Sequence, residues 1–201
     1  MPLRQYAPGV YGWSRFQPER GYEFNGTALV SNDGTVLLVD PIACTADERT
    51  ALQGLGKRFA LVLLNADHER DSAVFRDQFN AEVFVPRSDA GLLKVAGATP
   101  YDSGHTFPGG WTAHTFSGLK TPGESVLHHA GRKMLVVGDA LIADPLTGLR
   151  FVPPAKLPNR AAAMASIREL AALDFDGAYF GDGFVLPVGG REAIRRFLAK
   201  E

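Results

Sequence analysis

The sequence predicts a mixed α/β or α+β fold whose central strands deliver polar residues to one rim. Four short apolar runs carry most of that prediction, because each leads into an acid or a histidine. They are Thr35 to Val39 before Asp40, Ala60 to Leu64 before Asp67 and His68, Lys133 to Gly138 before Asp139, and Gly177 to Gly181 before Asp182. Runs this short and this rich in Val, Leu, Tyr and Phe are buried strands. Capped helical segments lie between them, and sites in open α/β sheets form at the carboxyl ends of strands. The composition agrees: 201 residues, 45% hydrophobic and 21% charged, give one core of useful size, and we expect a single domain spanning 1–201.

Along the chain, Val10 to Phe16, Phe24 to Val30 and Thr35 to Val39 read as antiparallel strands, and Asn32-Asp33-Gly34 supplies a hairpin turn between the last two. Thr45 followed by Glu48 is a capping box that opens a helix to about Lys57. The strand Ala60 to Leu64, a helix over Glu69 to Phe79 and the strand Glu82 to Val85 complete a β-α-β-α-β series, after which Ser88 can cap a short helix through Lys94. Strands return at Trp111 to Phe116, Ser125 to Ala130 and Lys133 to Val137. Leu146 to Pro158, with Pro153, Pro154 and Pro158, has no periodicity and reads as a proline-stiffened crossover or a lid. Asn159 then caps a helix that puts Met164, Ile167 and Ala171 on one face, and a last helix buries Ile194, Phe197 and Leu198.

Charge and composition exclude several partners. With 21 basic and 22 acidic residues the net charge is −1, so neither nucleic acid nor an anionic membrane surface finds an electrostatic footprint. Met1 to Val10 lacks the apolar centre of a signal peptide, and no run approaches the ~20 apolar residues that span a bilayer. Cys44 is the single cysteine, which rules out an internal disulfide and a multi-cysteine zinc site, and a cytoplasmic location is expected. The expected partner is a small-molecule ligand or substrate, and a homodimer is compatible with the sequence.

A rim lined with acids needs positive charge, since two carboxylates ~5 Å apart at an effective dielectric of ~20 repel by about 3 kcal/mol. The residues that could meet that need, and their order along the chain, resemble the metallo-β-lactamase superfamily. The resemblance runs from Phe24-Asn25-Gly26 and Val39-Asp40-Pro41, through Ala66-Asp67-His68-Glu69-Arg70-Asp71 and Val137-Gly138-Asp139, to Gly181-Asp182-Gly183. It implies a four-layer αββα sandwich with up to two metals at one edge. Against the family's HxHxDH pattern, only His68 is kept. Ala66 stands for the first histidine, Arg70 for the aspartate and Asp71 for the last histidine. Lys120, or Leu119 under a one-residue shift, stands before Thr121-Pro122-Gly123 where a histidine is usual. Asp139 matches the bridging aspartate, and Asp182 replaces the final histidine.

The substitutions suggest internal charge in place of metal charge, with Arg70 and Lys120 as cations and Asp71, Asp139, Asp182 and Glu124 as anions. His68 reads as a metal ligand, as a general acid or base, or as a histidine bonded to Asp139. Asp139 and Asp182 read as ligands, as bases or as partners of Arg70. Asp71 could instead cap the following helix, Glu124 could merely close a turn, and Asp40 could end its strand and bond the neighbouring loop. The catalytic candidates are therefore His68, Asp139 and Asp182, and the ligand-binding candidates Arg70, Asp71, Lys120 and Glu124. The resemblance implies a hydrolase with at most one divalent metal, held by His68 and Asp139; a dinuclear zinc centre is not expected. The competing reading is a metal-free protein that binds a small anionic or polar ligand in the same cleft.

Overall fold

The computed structural model describes residues 2–201. The chain builds two sheets stacked face to face with helices outside. The first sheet holds β1 (Arg4–Ala7), β2 (Val10–Gln17), β3 (Tyr22–Val30), β4 (Thr35–Val39), then, after α1 (Ala46–Gln53), β5 (Arg58–Val62), and, after α2 (Ser72–Phe79), β6 (Glu82–Pro86) and β7 (Thr99–Tyr101), in that spatial order. Its β1 to β4 half is antiparallel and its β4 to β7 half is parallel. The second sheet is built from β8 (Thr106–Phe107), β9 (Trp111–Thr115), β10 (Ser125–His129) and β11 (Met134–Val137). A hairpin of β12 (Ile142–Asp144) and β13 (Gly148–Arg150), then α3 (Arg160–Ala172), precede β14 (Gly177–Phe180), which joins this sheet parallel to β11. Helix α4 (Gly190–Lys200) closes the chain.

The period-2 alternation of side chains sorts the apolar residues into three layers of core. On β4, Leu37 and Val39 face inward with Val62, Leu64, Trp111, Leu127 and Val136, and these fill the space between the sheets. Val36 and Leu38 face the other way, where Leu52 of α1 and Phe75 and Phe79 of α2 cover them. Across the second sheet, Val126, Leu135 and Phe180 pack against Ile167 and Leu170 of α3 and Ile194 and Phe197 of α4. This is the αββα sandwich that the resemblance implies.

Several boundaries differ from those read in the sequence. Helix α1 stops at Gln53 because Gly54 caps it, while its Thr45–Glu48 capping box forms as expected. The helix expected from Glu69 begins at Ser72, since a 3-10 turn over Ala66–His68 comes first and Arg70 sits at φ +37°. The segment after Ser88 is a 3-10 turn, Arg87–Leu92, and the expected loop at Leu146 to Pro158 contains β13 and a 3-10 turn at Pro154–Lys156. No helix among the described residues is long and apolar enough to cross a membrane.

One rim connection locks the sheets together. Asn25 of β3 donates its side-chain amide to the carbonyls of Phe180 (2.9 Å) and Gly183 (2.7 Å), and its backbone N–H to Gly181 (2.8 Å). Gly183 has φ +94°, and a Cβ there would lie 1.8 Å from the Ala143 carbonyl oxygen. Gly183→Ala therefore forces this strand off β12 and is expected to destabilise the protein by at least about 2 kcal/mol in a urea melt. An unchanged midpoint would mean that the rim is looser than described.

Candidate active site

Four strand ends of the two sheets converge at this rim. Asp40 follows β4, the Asn65–Asp71 segment follows β5, Asp139 follows β11 and Asp182 follows β14. His68 is 1% exposed, Asp139 2% and Asp182 4%. Their ligand-capable atoms all lie within 4.8 Å of one another.

The turn that carries His68 is built by side chains that cap its backbone. Asn65 Oδ1 accepts the N–H of His68 (3.0 Å), and Asp89 Oδ2 accepts that of Ala66 (2.7 Å). Asp89 Oδ1 also accepts from Gly123 N–H (2.7 Å), which ties the His68 turn to the β9–β10 loop that carries Lys120. Glu124, expected at a turn, is instead fully buried beneath Asp139. Its Oε1 accepts from the Asp139 N–H (2.7 Å) and from Asn65 Nδ2 (3.2 Å). Gly138 permits this approach, because a Cβ there would lie 2.6 Å from Glu124 Oε1. Burial, with the neighbouring Asp139 charge, pushes the Glu124 carboxyl well above the usual range, against the hydrogen bonds from Asn65 and the Asp139 N–H.

His68 is held from both sides. Its Nδ1 lies 2.6 Å from Asp40 Oδ2, and Asp40 Oδ1 accepts the Leu64 N–H (2.8 Å). Its Nε2 stands between a donor and an acceptor, 2.9 Å from Arg70 Nη2 and 3.4 Å from Asp139 Oδ2. A neutral ring accepts from Arg70, and a protonated ring donates to Asp139. Burial and the Arg70 charge favour the neutral form, but Asp40 and Asp139 outweigh them and raise the pKa to about 10.

Arg70 and Lys120 fill the remaining space. Arg70 Nη2 lies 2.6 Å from Asp182 Oδ1, Nη1 lies 3.5 Å from the Asn25 carbonyl, and the guanidinium sits 4.4 Å from the centre of the Phe24 ring. Asp182 nonetheless has a raised pKa, because burial and the Asp139 charge act against the Arg70 and His68 charges. Lys120 Nζ lies 2.6 Å from Asp139 Oδ2 and 2.5 Å from Asp67 Oδ2. Burial disfavours the ammonium, but Asp139 and Asp67 outweigh it and raise the Lys120 pKa. Asp139 is driven the other way, below the usual carboxylate range: burial opposes its charge, and His68 and Lys120 more than compensate.

The arrangement brings together most of the candidates read in the sequence. Arg70, Lys120, His68, Asp139 and Asp182 come together, and Glu124 supports them from below. Asp71 does not join: it precedes α2 without a side-chain capping bond and lies outside the converging group. The sequence reading gave Asp40 only a loop contact and missed its grip on His68. It also missed Asp67 as a partner of Lys120, and Asn25, Asn65 and Asp89 as braces. The strand-end position of Asp40 was a usable signal for it, and Asn65, which caps the His68 turn three residues on, had a local one; Asn25 and Asp89 act across long sequence separations and had none.

The fold, the rim and the Asp139 motif point to one lineage, and a profile of the metallo-beta-lactamase superfamily matches residues 4–200. The chain belongs to that superfamily. No curated protein matches it. Among solved structures, DIM-1 metallo-beta-lactamase is 13% identical with a TM-score of 0.77, over 98% of this chain and 96% of that one. A metallo-beta-lactamase family protein from Thermus thermophilus is 18% identical (TM-score 0.72, 98% and 80% covered). A metallo-beta-lactamase from Erythrobacter litoralis is 19% identical (TM-score 0.72, 98% and 90% covered). At these identities the likeness is one of fold.

The superfamily's metal centre can be tested against these residues. A cation near Nε2 of His68 would meet the Arg70 guanidinium, and one on Asp139 Oδ2 would meet the Lys120 ammonium. Ala66 offers no donor atom. The residues present do not fit two zinc ions.

Two outcomes are expected. Arg70 and Asp182 have side chains only 10% and 6% exposed, so Arg70→Met should destabilise by about 3–5 kcal/mol, and the double variant with Asp182→Asn should be less damaged than additivity requires. A coupling of zero in denaturant melts would show that the pair is not a buried one. For His68 the folded pKa lies above the unfolded value, so its stabilisation is complete below about pH 6.5 and is lost as pH rises toward 10. By NMR its ring should stay protonated through pH 8. His114, lowered by burial and the His128 charge, and His129, lowered by burial and Arg132, should lose theirs below the ordinary imidazole value. A His68 midpoint near that ordinary value would contradict the carboxylate cage.

Proposed function

We propose that this chain uses its rim as a metal-free site that binds a small anionic or polar ligand, with Arg70 and Lys120 as anchoring cations. The observation that carries the reading is the seating of these two side chains among the converging carboxylates, at 2.6 Å from Asp182 and 2.6 Å from Asp139. Charge supports it. Arg70, Lys120 and His68, whose pKa is raised, stand as resident cations among Asp40, Asp67, Asp139 and Asp182. A divalent ion placed among these groups meets cations already seated there, and would have to expel a proton or one of the resident cations. An apolar filling would have removed the site altogether; here a specific polar arrangement is kept.

A second reading is a hydrolase that binds one divalent metal on His68, Asp139 and Asp182. It is favoured by the convergence of their atoms within 4.8 Å. Its oxygen-rich donors suit Mn²⁺ or Fe²⁺ better than Zn²⁺, and it requires Arg70 and Lys120 to move away. Elemental analysis of untagged protein, followed by calorimetric titration with Mn²⁺, Fe²⁺ and Zn²⁺, separates the two. The expected result is no stoichiometric uptake of any of the three. One ion bound per chain, with release of Lys120 or Arg70 from its carboxylate by NMR, would replace the metal-free reading with the hydrolase.

A further inference from the structure

The two carboxylates on Lys120 are unequal partners. Asp139 is buried, with its side chain 1% exposed, and is held from the backbone side by Glu124. Asp67 is 50% exposed and meets Lys120 Nζ at 2.5 Å from the outer side. The backbone beneath Asp67 is fixed independently of its carboxylate, through Asn65 on the His68 N–H and Asp89 on the Ala66 N–H. Rotation of one exposed side chain therefore clears the outer face of the ammonium without disturbing the turn. The Lys120 side chain is 14% exposed, so Asp67 is the arm of the pair that solvent reaches.

We propose that Asp67 is the resident occupant of a carboxylate seat on Lys120, displaced when a small carboxylate ligand binds, and that it sets the affinity and selectivity of the site. The proposal rests on the metal-free binding reading above and adds to it the chemical class of the ligand and the residue that competes with it. The Asp67 carboxylate marks the position and approach that the ligand's own carboxylate takes. Its negative charge occupies the seat, so a neutral ligand gains nothing there, whereas a carboxylate can take its place on the ammonium.

The test is an NMR titration with acetate at constant ionic strength, following the Lys120 side-chain nitrogen and the backbone amides of residues 66–69. Wild type should bind weakly. Asp67→Asn removes one like charge from the edge of the seat and should tighten binding about fivefold to tenfold. Lys120→Gln should abolish it in both backgrounds, and Lys120→Arg, which keeps the charge on Asp139 should the Gln variant fail to fold, should retain it. Equal affinity in wild type and Asp67→Asn, with the Lys120 nitrogen responding in both, would overturn the exchange and leave the ligand-binding reading standing. Acetate shifts that spare Lys120 and persist in Lys120→Gln would overturn the seat itself. Failure of the underlying reading is seen separately, as metal uptake in the calorimetric titration.

Discussion

A carboxylate that has almost no contact with water cannot remain charged without partners, and Asp139 is that carboxylate. It ends a central strand, it is 2% exposed, and the residues around it can be read as answers to its charge. Lys120 reaches it from a loop, His68 faces it across the rim, and Glu124 accepts its backbone N–H from beneath. Arg70 then answers the next acid, Asp182, whose pKa burial and the nearby Asp139 charge still raise. The chain of compensation runs outward until it meets solvent at Asp67.

The fold makes this arrangement easy to hold. Four strands from two sheets end at one rim, so the acids, His68 and Arg70 are positioned by backbone already fixed by three layers of apolar packing. Asn25 and Asp89 supply the remaining rigidity. The first clips one sheet to the other beside Asp182, and the second clips the His68 turn to the Lys120 loop. Such braces keep charged groups at bonding distance without requiring an ion in the middle.

Much of this was legible in the sequence. The buried strands declared themselves through dense β-branched and aliphatic runs, because a strand covered on both faces has no polar alternation to blur it. The Thr45 capping box and the Asn159 cap are local signals and were read correctly. Short strands such as β1, β7, β8, β12 and β13 were missed, since their stability comes from a neighbour far along the chain and not from their own composition. In the site, Arg70 stood out because a cation occupied a position where the resemblance leads one to expect an acid. Asp40 and Glu124 were undervalued for a common reason: each takes its role from a partner 28 or 15 residues away, His68 and Asp139, that only the folded rim brings near. Asp71 was overvalued because sequence adjacency to Arg70 says nothing of direction once the backbone turns between them.

That turn sets backbone geometry against charge. Arg70 adopts a left-handed backbone conformation, φ +37°, which aspartate and asparagine tolerate more readily than a long side chain does. The local backbone thus prefers a short polar residue at this position, and the arginine is kept there against that preference because Asp182, Phe24 and Asn25 hold it. Aspartate at this position would relax the backbone yet leave Asp182 buried beside a second acid, without the guanidinium that now meets it. Backbone and charge thus pull in opposite directions at residue 70, and no single side chain there satisfies both.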